Sequence, residues 1–122
     1  MERKKILVIE DNPVNMKLVR VLLARTEYEV FEATAADEGI SLAKSHLPDL
    51  VLMDVQLPGM DGLTATRMMR KDTKLSGIKV VALTSFAMSG DEEKALQAGC
   101  DGYLTKPIDT RSFLNSIEKY LM

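Results

Sequence analysis

A doubly wound α/β domain on five parallel strands is the fold this sequence predicts, and three observations predict it. Short apolar runs alternate with helix-period segments from end to end, the pattern of successive β-α units and a parallel sheet. Three of those runs, Ile6–Ile9, Leu50–Met53 and Val80–Leu83, are continuously apolar, as strands covered on both faces must be. The 122 residues suffice for one domain with a real core, and ten alternating elements use them all.

Taken in order, residues 5–9 read as the first strand, and 13–25 as a helix capped by Asn12 with Pro13 at its first position. Tyr28 to Ala33 is a weaker strand, followed by a helix from Ala36 to Ser45. Asp49 to Met53 is the third strand, and Asp61 caps a helix running to Lys71. Lys79 to Leu83 is the fourth strand. Ser89-Gly90-Asp91-Glu92 forms a capping box for a helix that Gly99 stops. Gly102 to Thr105 is a short fifth strand, and Asp109 caps a last helix to Leu121. Right-handed crossovers then place helices on both faces of the sheet.

Bulk properties exclude several function classes. Sixteen basic residues against 18 acidic ones give a net charge of −2, with no basic stripe to hold nucleic acid or an anionic membrane. The apolar runs are far shorter than the roughly 20 residues of a membrane helix, and no apolar signal-peptide core follows Met1-Glu2-Arg3-Lys4-Lys5. One cysteine, Cys100, permits no internal disulfide and fits a reducing compartment. The expectation is a cytoplasmic protein that binds neither nucleic acid nor membrane.

The chemistry gathers at strand ends. Glu10-Asp11, Asp54, Thr84-Ser85 and Lys106-Pro107 each follow an apolar strand, so all emerge at the carboxyl edge of the sheet, where open α/β folds bind ligands. Three converging carboxylates raise one another's pKa unless a cation neutralises them. The pattern therefore points to an oxygen-lined metal site with one carboxylate free to react. His46, Cys100 and the eight methionines read as structural, and Gly59 and Gly62 as turn residues beside the site.

With these residues in place, 43 positions from Asp11 to Asp54, 30 more to Thr84 and 22 more to Lys106, the chain resembles the receiver domain of bacterial two-component response regulators. The resemblance covers essentially all of it. Glu10-Asp11-Asn12 with Asn15-Met16-Lys17-Leu18, and Phe86-Ala87-Met88 with Gly90-Asp91-Glu92-Glu93, liken it to single-domain members without an effector. The resemblance implies a CheY-like, flavodoxin-like strand order 2-1-3-4-5. It makes Asp54 the nucleophile that forms an aspartyl phosphate. Mg²⁺, with Mn²⁺ as a substitute, would be held by Asp11, Asp54 and the backbone carbonyl of Gln56, with Glu10 acting through a bound water. Lys106 and Thr84 would contact phosphoryl oxygens, and a cis peptide would precede Pro107. Such a protein catalyses its own phosphotransfer and slow acyl-phosphate hydrolysis.

The same likeness makes Thr84 and Tyr103 a switch pair: Tyr103 turns inward as Thr84 moves toward the phosphoryl group, and the fourth helix, fifth strand and fifth helix present a changed face to a downstream protein. The donor is a histidine kinase or histidine phosphotransfer protein. The first helix is more apolar than one core stripe needs; Asn15, Leu18 and Leu22 form one line and Val19 with Leu23 another. With Pro107 and Ile108, the first line is the expected partner surface. Two departures are visible: Glu10 is longer than the acid often found first, and Ser85 replaces a common alanine. Gln56 and Phe86 sit at positions that tune the attack of water, and Phe86 is bulky enough to shield an acyl phosphate. Two other classes stay open, a binding module that is never phosphorylated and a phosphohydrolase with an aspartate nucleophile. Against the latter, the position two after Asp54 holds Gln56 rather than an acid. A receiver excised from a larger hybrid kinase or regulator is a further alternative.

Overall fold

The structure, a computed structural model, describes residues 3–85 and 91–122. Five parallel strands, β1 (Lys5–Ile9), β2 (Glu29–Ala33), β3 (Leu50–Asp54), β4 (Lys79–Thr84) and β5 (Gly102–Thr105), lie in the order β2-β1-β3-β4-β5. This is the doubly wound, flavodoxin-like order. The capping box at Ser89 and the shielding residue Phe86 lie wholly or partly outside the described residues.

Side-chain alternation along the strands divides the core into two layers. Leu7, Ile9, Val51, Met53, Val80 and Ala82 face α2 (Ala36–His46), α3 (Gly62–Lys71) and α4 (Asp91–Ala98). Ile6, Val8, Leu50, Leu52, Val81 and Leu83 face α1 (Pro13–Leu23) and α5 (Phe113–Glu118). β1 and β3 are central strands, which is why both of their faces are apolar.

The helix ends follow local chemistry. Asn12 Oδ1 accepts the N–H groups of Val14 and Asn15 at 2.9 and 3.1 Å, and Asp61 Oδ1 accepts that of Thr64 at 2.8 Å. α1 ends at Leu23, short of the expected residue 25, because the Thr26 hydroxyl takes the Leu23 carbonyl at 2.6 Å. α5 departs more. Asp109 does not cap it: its carboxylate accepts the Arg111 N–H at 2.9 Å, residues 110–112 form a turn, and the regular helix is only Phe113–Glu118. At the far end Leu121 N–H bonds Glu118 O, an i→i+3 tightening that closes the helix before Leu121.

At the amino edge of the sheet, where β4 and β5 begin, Arg70 ties α3 to the strands. Its guanidinium donates to Gly99 O, Ser76 O and Ile78 O and to Asp101 Oδ2, whose same oxygen accepts the Val80 N–H at 2.8 Å. Gly99, at φ 108°, ends α4 beneath this side chain; a Cβ there would lie 2.6 Å from Arg70 Cγ. Among the described residues no helix is long and apolar enough to cross a membrane.

Candidate active site

Register brings the predicted residues together. Ile9 pairs with Met53, so Glu10 and Asp54 follow side by side on adjacent strands. Thr84 pairs with Thr105, which places Lys106 one step beyond, with its N–H on Thr84 O at 2.7 Å. By alternation Glu10, Asp54 and Lys106 fall toward the α1/α5 side, whereas Thr84 and Tyr103 share the opposite side. Tyr103 is half-buried against the α2–α4 core, and Thr84 is buried at the end of β4. The Lys106–Pro107 peptide is cis.

Glu10 and Asp54 are buried, 1% and 3% exposed, while Asp11 is open to solvent. Ligand oxygens of the three carboxylates lie within 4.8 Å of one another. Lys106 Nζ reaches Glu10 Oε1 at 2.5 Å and Asp54 Oδ2 at 3.3 Å. Gln56 donates its backbone N–H to Asp54 Oδ1 at 3.0 Å, and Asn12 donates its own to Glu10 Oε2 at 3.2 Å. Beside the acids runs a groove of about 530 Å³, walled by Met16, Lys17 and Arg20 of α1 and by Glu32, Thr34 and Glu38 opposite.

The electrostatics separate the two buried carboxylates. Burial, with the hydrogen bond and charge of Glu10, pushes Asp54 up to about 7, against the lowering effect of the Gln56 N–H and Lys106. Burial also opposes the charge on Glu10, but hydrogen bonds from Asp54, Lys106 and the Asn12 N–H outweigh it and hold Glu10 below the usual carboxylate range. A single lysine does not balance two buried acids, and Asp54 keeps a proton toward neutrality. An excess of negative oxygen at hydrogen-bond spacing is the donor set a hard divalent cation prefers. Glu10, Asp11 and Asp54 therefore fit such an ion.

A profile of the response regulator receiver domain matches residues 6–118. The chain belongs to that family. It is a receiver of two-component signalling, similar to the polar-differentiation response regulator DivK of Brucella ovis: 44% identical over 118 residues, 97% of this chain and 96% of the relative. Its fold is also that of the receiver domain of the sensor histidine kinase PA1611 from Pseudomonas aeruginosa, solved with magnesium in its active-site cleft. The TM-score is 0.89 at 32% identity, over 98% of each chain. CheY4 of Vibrio cholerae shares the fold at TM-score 0.91 and 22% identity, over 98% of this chain and 100% of that one.

Two readings of the sequence change in this receiver. Leu22 is 2% exposed and packed in the core with Val19 and Leu23, so it offers nothing to a partner. Asn15 and Leu18 are half-buried, and the exposed apolar side chains of α1 include Val14, at 74%, and Val21, at 48%. At about 100° per residue the three lie within about 60° of one another, at the edge of the buried stripe of Met16, Val19 and Leu23, and Leu22 is the one the core covers. Gly62 is not a turn glycine either. It has no positive φ, unlike Gly59 at 76°, and a Cβ on Gly62 would lie 2.1 Å from the Asp54 carbonyl oxygen. It is glycine because α3 begins against the backbone of Asp54, which the sequence could signal only by adjacency to the Asp61 cap.

Proposed function

We propose that Asp54 accepts a phosphoryl group from a phosphohistidine of a histidine kinase or histidine phosphotransfer protein. One observation carries this reading: a buried carboxylate at a strand end, with Lys106 3.3 Å away and two further acids within 4.8 Å. Asp54 attacks as the carboxylate, so its proton leaves first. The Asp54 Oδ–P bond forms, the donor P–N bond breaks, and the departing imidazole takes up a proton. Glu10, Asp11 and Asp54, with the Gln56 carbonyl, are the groups to hold Mg²⁺, which when bound supplies positive charge against the acids and the transferring phosphoryl group. Lys106 supplies a compact ammonium to a phosphoryl oxygen, and Thr84 a hydroxyl to another.

Thr84 and Tyr103 lie on one side of neighbouring strands, with Ala82 paired to Tyr103. That placement supports the switch: movement of Thr84 toward the phosphoryl group frees space for the Tyr103 ring. The α4–β5–α5 face then changes for a downstream protein. For the donor, Val14, Asn15 and Leu18 on α1 join Pro107 and Ile108, which line a cleft of about 150 Å³ against α5. The reading is tested by incubating the protein with acetyl phosphate and Mg²⁺ and weighing it intact. One added phosphoryl group is expected on the wild type and none on Asp54→Ala. An unlabelled wild type, or a labelled Asp54→Ala, overturns it.

A further inference from the structure

Helix α3 is seated at both ends. At its start, the Gly62 N–H bonds Val55 O at 3.0 Å, and the residue lies so close to the Asp54 backbone that a Cβ would stand 2.1 Å from that carbonyl oxygen. At its end, the Arg70 guanidinium is used on every side. Nε donates to Gly99 O at 2.8 Å, Nη1 to Ser76 O and Ile78 O at 3.0 and 2.6 Å, and Nη2 to Asp101 Oδ2 at 2.8 Å. Between the two ends Ala65 and Met69 are buried against the sheet. A planar fork with that many fixed acceptors has no freedom to slide. Gly99 is shaped to the contact: its φ of 108° carries the chain out of α4, and a Cβ there would meet Arg70 Cγ at 2.6 Å.

These contacts decide how α4 can move. The helix begins at Asp91, seven residues after Thr84 at the carboxyl edge, and ends at Ala98, over the amino edge. Its last turn is closed by the Gly99 N–H on Leu96 O and the Cys100 N–H on Ala95 O, at 3.1 and 3.0 Å. Arg70 then holds the Gly99 carbonyl. The start of β5 stands in the same clamp, since Asp101 takes the Val80 N–H on the oxygen that takes Arg70 and returns its own N–H to Val80 O at 2.7 Å. Translating α4 along the sheet would pull Gly99 off Arg70. Tilting it about Gly99, a residue with no Cβ to restrict its backbone, breaks none of these bonds. We propose that α3 is a strut that makes α4 pivot: Arg70 pins the trailing end of α4 in the frame of the Asp54 backbone, and phosphorylation displaces the leading end about Gly99. This rests on the reading of Asp54 as phosphoacceptor and adds the form of the switch. The eight residues of α4 span about 12 Å of helix axis, and displacement grows along it from Ala98 toward the exposed Glu93 and Glu92.

The test compares wild type, Arg70→Ala and Arg70→Lys, each verified as folded by circular dichroism; the lysine keeps a charge for Asp101 but its single ammonium cannot span the other acceptors. Amide NMR spectra of the Mg²⁺-loaded proteins are recorded before and after acetyl phosphate. In wild type the Glu92 and Glu93 amides are expected to shift and residual dipolar couplings to report a turned α4 axis, while Gly99 and Cys100 hold still. In both variants Gly99 and Cys100 are expected to shift as well, which a merely stabilising role for Arg70 would not produce. Without donor, hydrogen exchange at Gly99 and Cys100, measured relative to the β1 amides, is expected to be about tenfold faster in the variants. Three results each overturn the proposal: a wild-type Gly99 that shifts as far as Glu93, an α4 axis that does not turn, or variants whose Gly99 and Cys100 keep wild-type exchange. An unlabelled wild type strikes the phosphoacceptor reading and the pivot with it, while the exchange comparison still decides the anchor.

Discussion

Replacing Asp54 by asparagine should stabilise the metal-free protein, and the gain should depend on pH in a defined way. Asp54 is raised from an ordinary 3.8 to about 7, chiefly by burial and then by Glu10. The folded state thus holds a proton that the unfolded chain releases about three units lower. Wild-type stability therefore falls as pH rises from about 4 to about 7, and the loss is complete above 7. The Asp54→Asn variant carries no such proton, so the variant-minus-wild-type difference is near zero at acid pH and grows by about 1.4 kcal/mol per pH unit. Its ceiling is ~4 kcal/mol, three units at that slope. Glu10 works in the opposite sense: its lowered pKa contributes stability that is lost as pH falls, and because the Asp54 carboxyl is the first of the groups that lower it, this part cancels in the difference only as far as the asparagine amide takes over that donation. Urea unfolding followed by circular dichroism in chelator, at several pH values between 4 and 8, measures the difference. A gap that does not grow with pH refutes the placement of the proton on Asp54. The same proton competes with metal, so Mg²⁺ affinity should weaken about tenfold for each pH unit below 7.

Two further outcomes are expected. Gly62→Ala sets a methyl group 2.1 Å from the Asp54 carbonyl oxygen and 2.9 Å from Met53 Cγ. It should cost about 1–3 kcal/mol and slow phosphorylation, whereas Gly59→Ala, with open space but φ 76°, should cost about 1–2 kcal/mol of backbone strain and spare the site; equal Tm for Gly62→Ala and wild type would contradict the packing. On α1, Val14→Glu should leave Tm unchanged within about 0.5 kcal/mol and reduce transfer from a phosphohistidine protein while acetyl phosphate labelling persists. Leu22→Glu, in the core, should unfold the protein, and a folded Leu22→Glu would show that α1 is turned the other way.

Strand and helix order was legible in the sequence because it rests on period and punctuation. Ile6–Ile9 and Leu50–Met53 are apolar without interruption, and Asn12-Pro13 and Asp61 mark helix starts whose side chains do bond the first N–H groups. The last helix differs from its sequence pattern at both ends, since Asp109 has two local uses and composition does not choose between cap and turn. The acids, Thr84 and Lys106 were found because each follows a strand, and parallel strands deliver their ends to one edge.

What the sequence determined by itself is therefore the set of groups at that edge: Glu10, Asp11, Asp54, Thr84 and Lys106. Which group holds which was decided only by tertiary structure. Glu10 and Lys106 are far apart in the chain and meet because β1 and β5 run parallel in one sheet with β3 and β4 between them. The proton on Asp54, the depth of Leu22 and the tight fit of Gly62 are likewise properties of burial. Burial depends on what packs across from a residue, and the residue's own neighbours in the chain do not encode it.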